Sequence, residues 1–141
     1  MIQYIYDPFD FAQAIGSEAQ ARRGHSEYNR TMNSKLVKLV FFTPLTHADI
    51  VRKAMGDAGA GQMGNYSHCT FSSRGQGRFK PLKGAHPAIG KVGKLEIIEE
   101  ERIETLCPRE KVAAVINAIK RVHPYEELAY DIIPLLGEKD L

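Results

Sequence analysis

The chain has 141 residues, 43% hydrophobic and 26% charged, with a formal net charge of +2. That length suits one domain with one core; no apolar run approaches the roughly 20 residues that span a bilayer, and so small a charge excess argues against binding a phosphate backbone by counterion release. Cys69 and Cys107 form neither a disulfide framework nor a C-x-x-C pair, and the opening MIQYIYDPFDFAQAIG lacks the basic start and long apolar segment of a signal peptide. The expectation is a soluble protein of the reducing cytoplasm, with no nucleic-acid or membrane partner.

Residues 1–34 read as an extension: a short helix capped by Asp10, with Phe11, Ala12, Ile15 and Ala19 as its apolar stripe, then the polar linker RGHSEYNRTMNS. The linker holds Met32, a candidate alternative start. From Lys35 the run KLVKLVFF is apolar and β-branched enough for a buried strand, which Thr43-Pro44 stops. Thr46 and Asp49 resemble a capping box, and Ile50, Val51, Ala54, Met55 and Ala58 then share one face of a helix over 47–58. YSHCTFSS reads as a strand, RGQG as a turn or bulge, and RFKPL as the continuation or a second short strand. After the loop KGAHPAIG, KLEIIEEERIETL gives a long strand. Its apolar phase changes at Ile97-Ile98, which suggests a bulge or burial on both faces, and Glu99-Glu100-Glu101 reads as a solvated or edge face. Pro108, Glu110 and the spacing of Val112, Val115, Ile116 and Ile119 define a second helix over 108–122, which His123-Pro124 ends. ELAYDIIPL is the last strand. The order β-α-β-β-α-β predicts an α+β, ferredoxin-like sandwich: an antiparallel sheet with two helices on one face.

Gly59, Gly61 and Gly64 match G-x-G-x-x-G, a spacing that cradles a pyrophosphate when it follows a strand and opens a helix. Here a helix precedes the glycines and a strand follows. They are therefore read as structural glycines of a tight crossing, with Gly75 and Gly77 in the next turn, and no nucleotide cofactor is expected.

The polar candidates fall into two groups. His123, Tyr125, Glu126 and Glu127 crowd one loop, and an imidazole beside carboxylates can hold a divalent ion or act as an acid–base pair; helix stop and turn is the structural alternative. His68-Cys69 is a soft donor pair whose side chains, in a strand, would face opposite ways, and Cys69 reads equally as a small buried apolar residue. Both loops follow helices and are expected to open on one end of the sheet. Asn65, Tyr66, Tyr125 and Glu126 are thus the candidate ligand residues, and His123, Glu127 and Cys69 the candidate metal set. Arg74, Arg78 and Lys80 flank the RGQG turn, where an anion would meet backbone amides or where a solvated tip would need only charge. Cys107 precedes the second helix, whose N-terminus would favour its thiolate; His25, His47 and His86 read as exposed and structural.

Four ordered stretches, GAGQMGNYSHCTFSSRGQGRFKP, GAHPAIG, EEERIETLCP and HPYEELAYDI, carry a resemblance to the insert module of the Nif3-like proteins, the dinuclear metal-centre or GTP cyclohydrolase I type 2 homologues. The likeness spans residues 35–135. It implies a CutA/PII-like fold for a module at 35–141, and trimeric assembly. It also implies that the histidine and carboxylate metal ligands of full-length relatives sit in two flanking lobes with no counterpart here.

The expectation is a stand-alone CutA/PII-like trimeric binding or sensor module for a divalent metal ion or small anion, with no catalytic centre of its own. A metal-assisted hydrolase with its site at subunit clefts, and a structural protein-interaction domain marked by an exposed apolar patch, are the competing classes.

Overall fold

The computed structural model of the chain describes residues 34–138. The helix expected from Asp10, the linker with His25 and Met32, and the last three residues lie outside the described residues. Ser34 belongs with the module, because its hydroxyl donates to the carbonyls of Leu36 and Leu135.

Four strands and two helices follow one another in the expected order: β1 (Leu36–Pro44), α1 (Ala48–Asp57), β2 (Phe71–Phe79), β3 (Glu96–Pro108), α2 (Val112–Lys120) and β4 (Tyr130–Pro134). Each helix is entered through one 3-10 turn, Leu45–His47 or Arg109–Lys111, with no side-chain cap. The Thr46–Asp49 capping box does not form: Thr46 meets the ring of its neighbour His47, and Asp49 pairs with Arg52. The sheet order is β2-β3-β1-β4, and every pairing is antiparallel. The fold is therefore the expected α+β sandwich.

Alternation sorts β1 into two faces. Val37, Leu39 and Phe41 point toward the helices and join Val51, Met55, Val115 and Ile119 in one core, together with Ile103 and Cys107 of β3. Burying side chains of this size contributes about 1.5–3 kcal/mol each. On the other face no helix lies over the sheet. Leu36, Phe71 and Ile133 are exposed there, interleaved with Lys38, Arg102 and Glu104, and Lys38 pairs with Glu104 at 2.9 Å.

β2 and β3 outrun the rest of the sheet. The last rung between β1 and β3 is Pro44 with Glu100, whereas β2 and β3 continue from Gln76–Glu99 to Phe79–Glu96 as a two-stranded ribbon. Three local expectations are corrected here. RGQG is neither turn nor bulge but the middle of β2, paired in unbroken register with Glu101 to Ile98. No bulge interrupts Ile97-Ile98, whose change of phase falls in the ribbon, where Ile97 is exposed because no core flanks it. Of the three glutamates Glu99 is exposed on the ribbon, as expected of a solvated face, but Glu100 and Glu101 lie where β3 is flanked by both β2 and β1, and there Glu100 accepts a bond from Tyr125 and Glu101 one from Arg52.

Candidate functional site

Where the ribbon leaves the sheet, the loop 80–95 folds back toward the loop 121–129, and the two enclose an open groove of about 550 Å³. Phe42 of β1 and Gly77 and Phe79 of β2 form part of its wall, Pro81, Ala88 and Ile89 another, and Glu100, Tyr125, Glu126 and Glu127 supply most of the polar lining, with Arg78 and Lys80 at the ribbon. The backbone N–H of His86 donates to the Glu126 carboxylate at 2.8 Å and ties the two loops together.

His123 anchors the helix side of this groove. Its backbone N–H donates to Ile119 O, closing α2. The ring is buried: Nε2–H donates to Phe42 O at 3.0 Å, and Nδ1 accepts the Tyr125 N–H at 3.2 Å. Burial holds the imidazole below its ordinary 6.5, outweighing the upward pull of the Phe42 carbonyl, and nearby His47 adds to the lowering. Edge-on beside it, 4.8 Å between centroids, the Tyr125 ring points its hydroxyl at Glu100 Oε1, 2.7 Å away. Burial and the glutamate both raise the phenol, so Tyr125 stays a hydrogen-bond donor.

The expected joint pocket does not form. Because β1 and β3 are antiparallel, the helices that follow them start at opposite ends of the sheet and finish at opposite ends. Residues 59–70 therefore lie at the end where Gly61 N bonds Leu106 O, and residues 121–129 at the end where His123 bonds Phe42 O. Asn65 and Tyr66 are exposed at the first end, far along the sheet from Tyr125 and Glu126. The metal set His123, Glu127 and Cys69 is separated in the same way, and both nitrogens of His123 are already bonded. Among the described residues no group of three or more His, Cys, Asp or Glu could hold a metal ion.

The segment around Cys69 is irregular, not a strand. Met63 and Tyr66 exchange an isolated bridge, His68 takes φ +59°, and its ring lies between Ser67 Oγ (3.0 Å) and Asp57 Oδ1 (3.2 Å), while the Cys69 thiol turns toward Ser67 O. Gly59, Gly61 and Gly64 do adopt positive φ in this crossing; Gly75 and Gly77 are extended strand residues, and Gly77 leaves room for the Glu100 carboxylate. Cys107 is buried, and its thiol is pushed up to about 11 by desolvation, so it carries no stabilised thiolate.

Sequence reasoning missed the wall of the groove. Phe42 and Phe79 read as ordinary strand residues, and GAHPAIG reads as a connecting loop. Its alternation of small, apolar and proline residues, unusual for a solvated loop, is the signal that marks it.

This architecture defines the class first. The periplasmic divalent cation tolerance protein CutA from Archaeoglobus fulgidus superposes with a TM-score of 0.55 at 20% identity, over 74% of this chain and 89% of that one. The PII-like protein CutA from Nostoc sp. PCC 7120 gives 0.54 at 14%, over 74% and 86%. At such identities the likeness concerns the fold alone. No family model matches the chain. In sequence it resembles Nif3-like proteins: a Bacillus cereus protein related to NIF3 is 53% identical with a TM-score of 0.65, over 74% of this chain and 26% of that chain. The GTP cyclohydrolase 1 type 2 homologs of Halalkalibacterium halodurans and Bacillus subtilis are each 53% identical, over 77% and 74% of this chain. The chain spans less than a third of the length of those curated relatives, 29% and 28%. It thus resembles one CutA-like segment of a Nif3-like protein.

Proposed function

We propose that this chain is a binding module without a catalytic centre of its own, which seats a small molecule with an apolar body in the groove between loops 80–95 and 121–129. The observation that carries this reading is the meeting of an apolar wall, Phe42, Phe79 and Ile89, with the fixed polar pair Tyr125–Glu100. Few precisely held polar groups in an apolar cleft orient a ligand. His123, Tyr125, Glu100 and Glu126 are engaged with one another or with backbone, which favours holding a molecule over transforming it. The ligand class moves away from a metal ion or small anion. His123 has no free nitrogen, and the Tyr125 hydroxyl is already given to Glu100 Oε1, so neither is open to a metal ion or a small anion, while Arg78 and Lys80 line the groove at the ribbon.

The module is further proposed to assemble as a homotrimer through its uncovered sheet face. The exposed Leu36, Phe71 and Ile133 on that face, and a ribbon with no third strand, support it. Light scattering of the purified chain tests this, and a stable monomer would contradict it.

The groove is tested with N-phenyl-1-naphthylamine, an uncharged dye whose emission rises in apolar sites. Saturable binding is expected, and the groove-filling Ala88→Phe should abolish it while leaving the circular dichroism spectrum and melting temperature unchanged. Equal binding by parent and variant would remove the groove as the site.

A further inference from the structure

The loop 80–95 combines features that a solvated tip does not need. Leu82 and Leu95 are 69% and 62% exposed, as are Val92 in the same loop and Ile97 just beyond it in β3, each about half. Lys80, Lys83, Lys91 and Lys94 are interleaved with these apolar residues. Only Lys94 has a carboxylate partner among the described residues, Glu96 at 3.6 Å. Of these residues Lys80 and Leu82 line the groove and the others belong to the loop that walls it or adjoin that loop, so the groove asks for an occupant with large apolar side chains and an acidic flank.

The first 21 residues of the chain have that chemistry. They contain Tyr4, Tyr6, Phe9 and Phe11 together with Asp7, Asp10 and Glu18, and no Lys or Arg. We infer that residues 4–11, YIYDPFDF, seat on the groove of their own chain, with aromatic side chains against Phe42, Phe79 and Ile89 and the aspartates toward Lys80, Lys83 and Lys91. The tether is long enough. Ser34 lies beside Leu36 and Leu135, at the end of the sheet remote from the groove. Residues 12–33, at about 3.3 Å each when extended, reach about 70 Å, more than twice the roughly 30 Å rise of β1. The acidic groove lining does not oppose this seating: Glu100 and Glu126 already accept bonds from Tyr125 and His86, and the aspartates stay at the basic rim. The inference rests on the groove being the ligand seat and makes the N-terminal segment its built-in competitor.

The chain contains no tryptophan, so Phe9→Trp in the full-length protein is a single-site reporter. Expected are a blue-shifted emission and an acrylamide quenching constant several-fold lower than that of a free indole. Protection should be lost in the reporter carrying Ala88→Phe, and in the one carrying Lys83→Glu with Lys91→Glu, and unchanged on dilution. The Tyr6→Ser, Phe9→Ser, Phe11→Ser variant should bind N-phenyl-1-naphthylamine several-fold more tightly than the parent. A reporter quenched like free indole, or protected but indifferent to both groove substitutions, overturns the inference, as does protection that vanishes on dilution. If the dye binds the groove while the reporter is free, the groove reading stands and the N-terminal competitor falls. If the dye ignores Ala88→Phe, the groove reading itself fails.

Discussion

Residues 58–70 and residues 121–129 both carry the chain from the end of a helix into an outer strand, yet they are held in opposite ways. The first crossing is held by backbone: Gly61 N bonds Leu106 O, Cys69 N bonds Gly61 O, and three glycines take positive φ. Its side-chain contacts, such as His68 with Asp57, are exposed. The second crossing has no positive-φ residue and is held by side chains: Leu128 is buried in the core, and the buried His123 bonds the backbone of β1 and of Tyr125. A crossing fixed by backbone geometry leaves its polar side chains dispensable, with only the small Ala60 reaching the core. One fixed by a buried imidazole couples its shape, and the groove it borders, to the protonation of that ring.

Substitutions that exchange these two kinds of support sharpen the comparison. Gly61→Ala combines positive φ (+71°) with a new methyl 2.6 Å from the Cys69 backbone, and urea unfolding should show a loss of about 2–3 kcal/mol. Gly64→Ala, with positive φ but nothing within 4 Å, should lose about 1 kcal/mol in the same assay; equal losses would show that crowding at Gly61 is unimportant. His123→Ala strands the Phe42 carbonyl and the Tyr125 amide, and should cost about 2 kcal/mol together with dye binding in the groove. Tyr125→Phe removes only the bond to Glu100 and should cost about 1 kcal/mol.

The second crossing should also respond to acid. The imidazole of His123 is held below its ordinary 6.5, so the unfolded chain takes up this proton first. Its stabilisation is complete above pH about 6.5 and is lost as pH falls toward the lower folded value. The melting temperature should drop over that window in the parent and less in His123→Gln, whose amide can still donate to Phe42 O; identical profiles would clear His123. Asp57→Asn, at the exposed end of the first crossing, should have the smallest effect, no change of midpoint distinguishable from the parent in high salt.

Periodicity made β1, both helices and β4 legible, because each buries one face and its apolar spacing records which. Gly75 and Gly77 were misread because paired glycines usually mark turns; in β2 they stand directly across from Glu100 and Ile98 on the same sheet face, a relation that only the register reveals. His123 was recognised as a helix stop, but its partner Phe42 lies 81 residues earlier, and no local pattern encodes that bond. The joint pocket was an avoidable error. Antiparallel β1 and β3 already require the two post-helix loops to open at opposite ends, so the topology read from the sequence contained its own correction.

The connection between β2 and β3 divides the chain into two β-α-β halves: β1, α1 and β2 before it, β3, α2 and β4 after it. Each half owns one of the two interior strands, which pair over nine rungs from Leu36–Pro108 to Pro44–Glu100. A trypsin cut at Lys83 or Lys91 would therefore sever covalent continuity while leaving the interlocked halves zipped together. The same position would accept new chain termini or an inserted domain, making this molecule a natural scaffold for fragment complementation.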